Sequence, residues 1–231
     1  MSKNCVNFEK TEQKFTEFAE KFRIFQSLLA EYNGRYNLTA ITDEKEVLIK
    51  HFYDSLAGEF LFPKNANVIE IGSGAGFPSL PLKIVREDLS FTLVESTGKK
   101  CEFLKTAVKE LALENVTVIC ARAEDLGKDI LYREKFDICC ARAVARLNTL
   151  AEYCLPFVKT GGKMIAYKGR AEEEVQEAKH AILTLGGGRT EQICYELPEE
   201  AGERTLVVIN KEKPTPPKYP RGNGKERKNP L

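Results

Sequence analysis

Residues 68–82 read VIEIGSGAGFPSLPL, an apolar run that opens into a glycine-rich loop. Glycine occupies every second position of this loop, at Gly72, Gly74 and Gly76. A loop of this kind after a buried strand lets the backbone approach a nucleotide-like ligand closely. The dinucleotide pattern G-x-G-x-x-G needs a third glycine where this sequence has Phe77, so a dinucleotide is disfavoured.

Short β-branched runs alternate with amphipathic stretches through the middle of the chain. These runs are NVIEI, SFTLVE, NVTVIC, FDICCA, KMIAYK, QICYEL and TLVVIN. Nearly continuous apolar strands that alternate with helices indicate a parallel sheet covered on both faces. The last two runs are joined only by PEEAGE, which predicts an antiparallel pair at one edge. We therefore expect an α/β fold with a mostly parallel seven-stranded sheet.

Two helical patterns precede the sheet. In the first, apolar residues recur at three- and four-residue spacing, and the helix is expected to stop at Asn33 and Gly34. The second is expected to begin at Asp43, which can cap it while Glu46 reaches back. The chain thus begins with a helical extension.

The length of 231 residues suits one enzyme-sized domain with extensions. We expect the helical extension at residues 1–63, the sheet domain at 64–212 and a Pro- and Gly-rich tail without regular structure at 213–231. The net charge is only +1, yet residues 211–231 hold seven basic and two acidic side chains. A basic tail on a mildly acidic body suits contact with a polyanion, although charge runs are more often simply solvated.

The cysteines and the apolar segments argue against several classes of protein. The seven cysteines contain no C-x-x-C pair, so neither a disulfide framework nor a zinc site is indicated. The N-terminal sequence MSKNCVNFEKTEQKF lacks the apolar core of a signal peptide, and no apolar run reaches the roughly 18 residues of a membrane span. We expect a soluble cytoplasmic protein without a metal.

Carboxylates at three successive strand ends indicate the charge of the ligand. Glu70 lies two residues before the glycine loop, where it would repel a pyrophosphate, and no basic residue follows before Lys83. S-adenosylmethionine carries a sulfonium and an ammonium group and no phosphate, so it fits better. Glu95 can accept from ribose hydroxyls and Glu124 from an adenine amino group, with Ala123 leaving room for the ring. Each acid alone could equally be a strand-end or helix-capping residue.

The sequence resembles one known family from about Phe15 to the C-terminus. The matching segments, in chain order, are NLTAITDEKEVLIKHFYDSL, IEIGSGAGFPSLPLKI, VESTGKKCEFL, ARAED, ARAVARL, AYKG and TPPKYPRGNGKERKNPL. They resemble the RsmG family, also called GidB. The resemblance implies a Rossmann-like class I S-adenosylmethionine-dependent methyltransferase that modifies N7 of one guanine in the decoding-region loop of 16S rRNA. Its partner would be 16S rRNA, the 30S subunit or an assembly intermediate, and we expect a monomer.

The resemblance also assigns cofactor contacts residue by residue. The family positions at the cofactor site fall on Gly72, Phe77, Ala123, Glu124 and Arg142. Glu95 matches the second-strand acid, where many relatives have Asp. Glu70 and Gly74 complete the expected cofactor site.

Guanine N7 carries a lone pair at neutral pH, so methyl transfer to it requires alignment and water exclusion rather than a general base. The sequence contains no N-P-P-Y or D-P-P-Y tetrapeptide of the kind that positions an exocyclic amine. Arg142 is the candidate catalytic residue, because its planar fork could hold a guanine edge or a phosphate. The alternative role for Arg142 is a structural ion pair.

The candidate RNA contacts are basic or aromatic. Lys100 lies near the start of the helix after the second strand, and Lys168 ends the fifth strand. The tail adds Lys218, Tyr219 and Arg221, which could combine phosphate contact with base stacking.

Other interpretations remain open. Cys139 and Cys140 could point to cytosine-C5 chemistry, but core packing is favoured because they lie in an apolar run. His51 and Asp54 share one helix face and could border the substrate mouth or form a satisfied surface pair. The same fold could also act on a small molecule or a protein, bind RNA without catalysis, or serve as an NAD-dependent oxidoreductase, which the glycine loop disfavours.

Overall fold

The computed structural model describes residues 6–231 and places them around one seven-stranded sheet. Cys5 lies outside the described residues. The strands are β1 (Asn67–Ile71), β2 (Ser90–Glu95), β3 (Val116–Cys120), β4 (Phe136–Arg142), β5 (Val158–Lys168), β6 (Gly187–Glu196) and β7 (Glu203–Lys211). In the order β3-β2-β1-β4-β5-β7-β6, only β7 runs against the others. The predicted strand count and closing antiparallel pair are confirmed.

Helices cover both faces of this sheet. They are α1 (Phe8–Glu17), α2 (Ala19–Tyr36), α3 (Glu44–Val47), α4 (Asp54–Leu56), α5 (Ser79–Val85), α6 (Gly98–Glu110), α7 (Ala123–Leu126), α8 (Leu147–Cys154), α9 (Glu172–Glu177), α10 (Lys179–Thr184) and α11 (Lys225–Lys228). Short 3-10 turns lie at Glu59–Leu61, Leu155–Phe157 and Pro198–Glu200. None of the helices in residues 6–231 has both the length and the apolar character that a bilayer crossing requires.

The N-terminal helices pack on the sheet domain through an aromatic cluster. The ring centroid of Phe25 lies 5.3 Å from that of Phe52, 5.1 Å from that of Phe77 and 6.5 Å from that of Phe103. All four rings are buried, and each contributes about 1.5–3 kcal/mol to folding. This cluster fixes the position of the extension next to the glycine loop.

The first of the predicted helices is longer than the sequence suggested. It divides into α1 and α2, and α2 continues through Asn33 and Gly34 before it ends at Asn37, whose φ of 49° is left-handed. Glycine inside a helix costs about 1 kcal/mol, which the burial of a large side chain such as Phe25 outweighs. The stop predicted at Asn33 and Gly34 is therefore wrong.

The second helical stretch begins as predicted, because Asp43 Oδ1 accepts from the Glu46 backbone N–H at 2.9 Å. The Glu46 carboxylate does not reach back over the cap. It pairs instead with Lys50 Nζ at 2.5 Å. Between α3 and α4 the helix widens into a π-helix at Leu48–Tyr53, which leads directly into Asp54. Such segments are frequent at functional sites.

The C-terminal tail packs against the sheet domain. Lys211, Thr215 and Tyr219 are buried, and the Arg133 guanidinium donates to the carbonyl oxygens of Thr215, Pro216 and Tyr219. A proline-rich segment leaves such carbonyls without partners of its own, and an arginine distant in sequence pairs them. The tail then forms α11, so the expectation that it contains no regular element is wrong.

Candidate cofactor and substrate site

Two adjoining cavities lie at the carboxyl ends of β1, β2 and β4, where the strand order reverses. The first has a volume of about 300 Å³ and the second about 400 Å³. Their walls share Gly72, Ser96, Val144 and Arg227. Open α/β sheets bind ligands at this position.

The first cavity lies beside the start of α7. Ala123 and Glu124 form part of its wall, together with Ile71 and Val94 at the strand ends. Glu124 is buried, and its Oε1 lies 3.7 Å from Arg122 Nη1. The rest of this wall combines apolar side chains with Ser96, Arg122 and Arg227. A carboxylate in such a wall can accept from an amino group of a flat ring.

The second cavity is built on the glycine loop and Glu95. Glu95 Oε2 accepts from the Gly74 backbone N–H at 3.0 Å, and Oε1 accepts from the Thr97 backbone N–H at 2.8 Å. These bonds fix the carboxylate in the wall. Each carboxylate oxygen retains a further lone pair for a ligand.

Gly72 lies where the two cavities meet and requires glycine for two reasons. Its φ is +69°, and a Cβ at this position would lie 2.6 Å from Val144 Cγ2. A side chain would therefore be strained and would also crowd the space that the cavities share.

Arg142, at the end of β4, is held by three contacts on the extension. Its Nη1 donates to Asp54 Oδ2 at 3.0 Å and to the Lys50 carbonyl at 3.1 Å, and its Nη2 lies 3.1 Å from His51 Nδ1. The guanidinium also lies 5.0 Å from the ring centroid of Phe77. These contacts use three of the five N–H groups of an arginine. Arg142 lines the second cavity and also forms an ion pair with Asp54, the alternative role named from the sequence. Its contact with a guanine edge or a phosphate stays a prediction.

His51 and Asp54 are not a surface pair. Asp54 is only 3% exposed and also accepts from the Tyr195 hydroxyl at 2.7 Å. His51 lines the second cavity, and its Nε2 lies 2.8 Å from Thr39 Oγ1. Burial, with a contribution from Arg142, lowers the pKa of His51 to about 3, so the imidazole is neutral at physiological pH.

Phe77 contributes to the second cavity mainly by packing. Its ring is buried. The ring stacks on the His51 ring, with 4.8 Å between centroids, and on the Phe25 ring, with 5.1 Å between centroids. Phe77 therefore sets the position of the two polar side chains beside it, His51 and Arg142.

Glu70 does not reach either cavity. Its side chain is completely buried beneath the glycine loop, and neither carboxyl oxygen has a hydrogen-bond partner among the described residues. Burial raises the pKa of Glu70 to about 8, so the group is largely neutral at pH 7. The predicted ligand contact and the predicted repulsion of a pyrophosphate by Glu70 are both wrong, because burial removes the charge on which they depended.

Of the residues predicted to contact RNA, Lys100 and Lys218 are accessible to a ligand. Lys100 lines the second cavity. Lys218 is exposed, with Nζ 5.2 Å from the ring centroid of Tyr219. Tyr219 itself is buried, so its ring is not free to stack on a base, contrary to the prediction.

Lys168 and Arg221 are engaged within the protein. Lys168 Nζ donates to the Ala145 carbonyl at 2.6 Å and to Glu174 Oε2 at 2.7 Å. Arg221 Nη2 donates to Glu152 Oε2 at 2.7 Å, and Nε donates to Oε1 at 3.0 Å. The prediction of free phosphate contacts at these two positions is therefore wrong.

Arg227, which the sequence analysis missed, lines both cavities. It is carried there by α11, which is attached to α8 where the Thr149 hydroxyl donates to the Glu226 carbonyl at 2.9 Å. The basic run GKERK was visible in the sequence. Its place beside the cavities depends on tail packing that no local pattern reports.

Cys139 and Cys140 lie in the core of the sheet. Both are fully buried, and burial raises the pKa of each thiol well above its usual value. The core-packing interpretation is confirmed.

The family model described as rRNA small subunit methyltransferase G (GidB) matches residues 18–201 of this chain. The ribosomal RNA small subunit methyltransferase G of Staphylococcus aureus strain bovine RF122 / ET3-1 is 49% identical over 228 residues, which cover 97% of this chain and 93% of that protein. The chain belongs to the rRNA small subunit methyltransferase G family. Membership of this family confirms the prediction that the protein is an S-adenosylmethionine-dependent rRNA methyltransferase.

Solved structures show the same fold at low sequence identity. A protein described as a predicted O-methyltransferase from Agrobacterium tumefaciens aligns with a TM-score of 0.57 and 19% identity over 69% of this chain and 81% of that one. M. jannaschii TYW2 in complex with AdoMet aligns with a TM-score of 0.55 and 17% identity over 69% of this chain and 74% of that one. This chain thus has the Rossmann-like methyltransferase fold that was predicted from its sequence.

Proposed function

We propose that this rRNA methyltransferase modifies N7 of a guanine in the decoding-region loop of 16S rRNA. The observation that supports this acceptor is the state of His51, the one imidazole among the described residues that line the second cavity. Its pKa of about 3 and its contacts with Arg142 and Thr39 leave it unavailable as a general base. An amine or hydroxyl acceptor must lose a proton on methylation, whereas guanine N7 has none to lose.

The cavities suit S-adenosylmethionine because they combine carboxylate acceptors with a glycine-lined constriction. The residues that would hold it are Gly72, Gly74, Phe77, Glu95, Ala123, Glu124 and Arg142. When bound, S-adenosylmethionine supplies an electrophilic methyl group on a positively charged sulfur. Guanine N7 would accept this methyl group without releasing a proton, so the residues of the chain would not have to supply a general base.

The residues of the chain contribute orientation and exclusion of water. Phe77, His51 and Arg142 form one packed wall of the second cavity. Lys100 and Arg227 lie at the same cavity and would contact phosphates of the RNA, with Lys218 as a more distant contact. We further propose that the protein acts in the cytoplasm as a monomer.

The proposal is tested by methyl transfer from radiolabelled S-adenosylmethionine to deproteinised 16S rRNA, to 30S subunits and to assembly intermediates from cells that lack the protein. Borohydride-aniline cleavage then locates N7-methylguanosine. We expect one cleavage, in the decoding-region loop, and the most active of the three preparations identifies the natural form of the acceptor.

Glu95→Gln and Glu110→Gln are the matched variants, since both remove one carboxylate but only Glu95 lines the cavity. Glu95→Gln is expected to weaken cofactor binding about tenfold or more through the loss of charge-assisted hydrogen bonds, and Glu110→Gln is expected to behave as the unmodified protein. Label in a pyrimidine or on an exocyclic amine would contradict the N7 assignment. Equal effects of the two variants would contradict the assigned cofactor site.

A further inference from the structure

Thr39 lies at the junction of the second cavity and a larger groove. The groove, of about 660 Å³, runs between α2 and the segment that follows it, and Thr39 is in the wall of both spaces. The position of Thr39 is fixed, because its backbone N–H donates to Asn33 Oδ1 at 2.8 Å. A base that enters the second cavity from the groove must pass this side chain.

The direction of each hydrogen bond around His51 follows from its partners. His51 Nδ1 lies 3.1 Å from Arg142 Nη2 and 3.2 Å from the Lys50 carbonyl oxygen, which already accepts from Arg142 Nη1. Arg142 can only donate, and a proton on Nδ1 would face the Nη2 proton, so Nδ1 is the acceptor. The proton of the neutral imidazole is therefore on Nε2, which lies 2.8 Å from Thr39 Oγ1. His51 donates to Thr39, and Thr39 accepts.

The Thr39 hydroxyl accepts a second hydrogen bond, from the Ile41 backbone N–H at 3.1 Å. A hydroxyl oxygen has two lone pairs and one proton to donate. Both lone pairs are used, so the hydroxyl group can act toward a ligand only as a donor. Within residues 6–231, the Thr39 hydroxyl has hydrogen-bond contacts only with these two donors, so no acceptor in this part of the chain takes its proton.

We propose that the Thr39 hydroxyl donates a hydrogen bond to O6 of the acceptor guanine and thereby selects guanine over adenine. This inference rests on the proposed function. Guanine presents O6 and N7 on one edge, whereas adenine presents an amino group, itself a donor, next to N7. A hydroxyl that can only donate finds an acceptor in O6 of guanine and none in the amino group of adenine. Because the hydrogen bonds from Arg142 to His51 and from His51 to Thr39 fix this direction, they favour guanine over adenine.

The test is a double-mutant cycle between Thr39 and the base. The acceptor guanine in reconstituted 30S subunits is replaced by 2-aminopurine, which keeps N7 and lacks O6, and each substrate is assayed with the unmodified protein and with Thr39→Val. The unmodified protein is expected to prefer guanine about 10- to 100-fold in kcat/KM. Thr39→Val is expected to reduce that preference about tenfold or more, and Thr39→Ser, which keeps the hydroxyl, to preserve it.

Binding measurements separate selectivity from simple damage to the site. Calorimetry with S-adenosylhomocysteine is expected to give equal affinity for the unmodified protein and Thr39→Val. The fluorescence of 2-aminopurine in the bound RNA is expected to change equally for both, because entry of the base does not need the hydroxyl.

The rates of the two proteins on the two bases decide whether Thr39 selects guanine. If Thr39→Val lowers the rates on both bases by the same factor, Thr39 has only a structural role and the inference is overturned, while the proposed function stands. If the unmodified protein places no methyl group on guanine N7, the proposed function fails first and the inference fails with it.

Discussion

The N-terminal extension and the C-terminal tail are each attached to the sheet domain by an arginine and a buried carboxylate. In the extension, Asp54 accepts from Arg142 of β4 at 3.0 Å. In the tail, Arg221 donates to Glu152 of α8 at 2.7 Å. The first pair touches the second cavity, and neither member of the other pair lines either cavity. The Arg142–Asp54 pair thus orders a cavity wall, whereas the Arg221–Glu152 pair only holds the tail on the sheet domain. The difference arises because Arg142 lies at the carboxyl end of a strand, where the cavities are.

Loss of the Asp54 charge is expected to have the largest effect. Asp54→Asn leaves Arg142 without its counter-ion and should lower the free energy of unfolding by about 3 kcal/mol. It should also lower the methyl-transfer rate about 100-fold or more, because Arg142 no longer holds His51 in place. Denaturant titration and single-turnover kinetics measure the two effects. Tyr195→Phe, which removes one hydrogen bond to the same carboxylate, is the control and should cost about 1 kcal/mol.

The equivalent change at the tail should separate stability from activity. Glu152→Gln is expected to lower the free energy of unfolding by about 2 kcal/mol, since Arg221 loses a buried ionic partner. At saturating substrates, kcat should stay within about threefold of the unmodified value, because the pair does not touch the cavities. If Glu152→Gln reduces kcat as strongly as Asp54→Asn, the distinction between the two attachments is wrong.

Glu70 extends the comparison to a buried carboxyl group that has no arginine. Its pKa is about 8 in the folded protein and 4.5 in the unfolded chain, so its stabilising contribution is full below pH 4.5 and is lost as the pH rises to 8. The free energy of unfolding of Glu70→Gln, relative to the unmodified protein, should rise over this range by up to about 1.4 kcal/mol per pH unit. A difference that does not vary with pH would show that Glu70 is ionised when folded.

His51 gives the opposite slope. Its pKa falls from 6.5 to about 3 on folding, so the stability that it contributes is present above pH 6.5 and is lost as the pH falls toward 3. The acid limb of the stability profile should therefore become shallower in His51→Gln, which removes the titrating group.

The smallest effect is expected at Arg227, an exposed residue that lines the cavities and would attract RNA phosphates through its charge. Arg227→Ala should weaken RNA binding about two- to fivefold and reduce the dependence of log K on log salt by about 1. Arg189→Ala removes an equally exposed arginine that lies outside both cavities and serves as the control. Identical salt dependence in the two variants would exclude a specific phosphate contact at Arg227.

The strands, the glycine loop and the carboxylates Glu95 and Glu124 could be predicted because they follow from local patterns. Periodicity marks a strand, and parallel strands bring their carboxyl ends to one edge. What could not be predicted depends on partners far apart in sequence. Arg142 and Asp54 are 88 residues apart, and Arg221 and Glu152 are 69 apart.

The errors share the same physical cause. The sequence shows that a residue is charged or aromatic, but not whether folding buries it. Glu70 loses its charge through burial, Tyr219 loses its exposed ring, and Lys168 gives its donors to Glu174. Exposure is decided by tertiary packing, which spacing alone does not contain.

The π-helix at Leu48–Tyr53 implies that the site depends on the number of residues in this segment as well as on their identity. Each residue advances a helix by about 100°, so the loss of a single residue just before His51 would turn both His51 and Asp54 away from Arg142. Most substitutions on the outer side of this segment leave that angle unchanged. We therefore expect insertions and deletions in this segment to abolish the site even where single substitutions are tolerated.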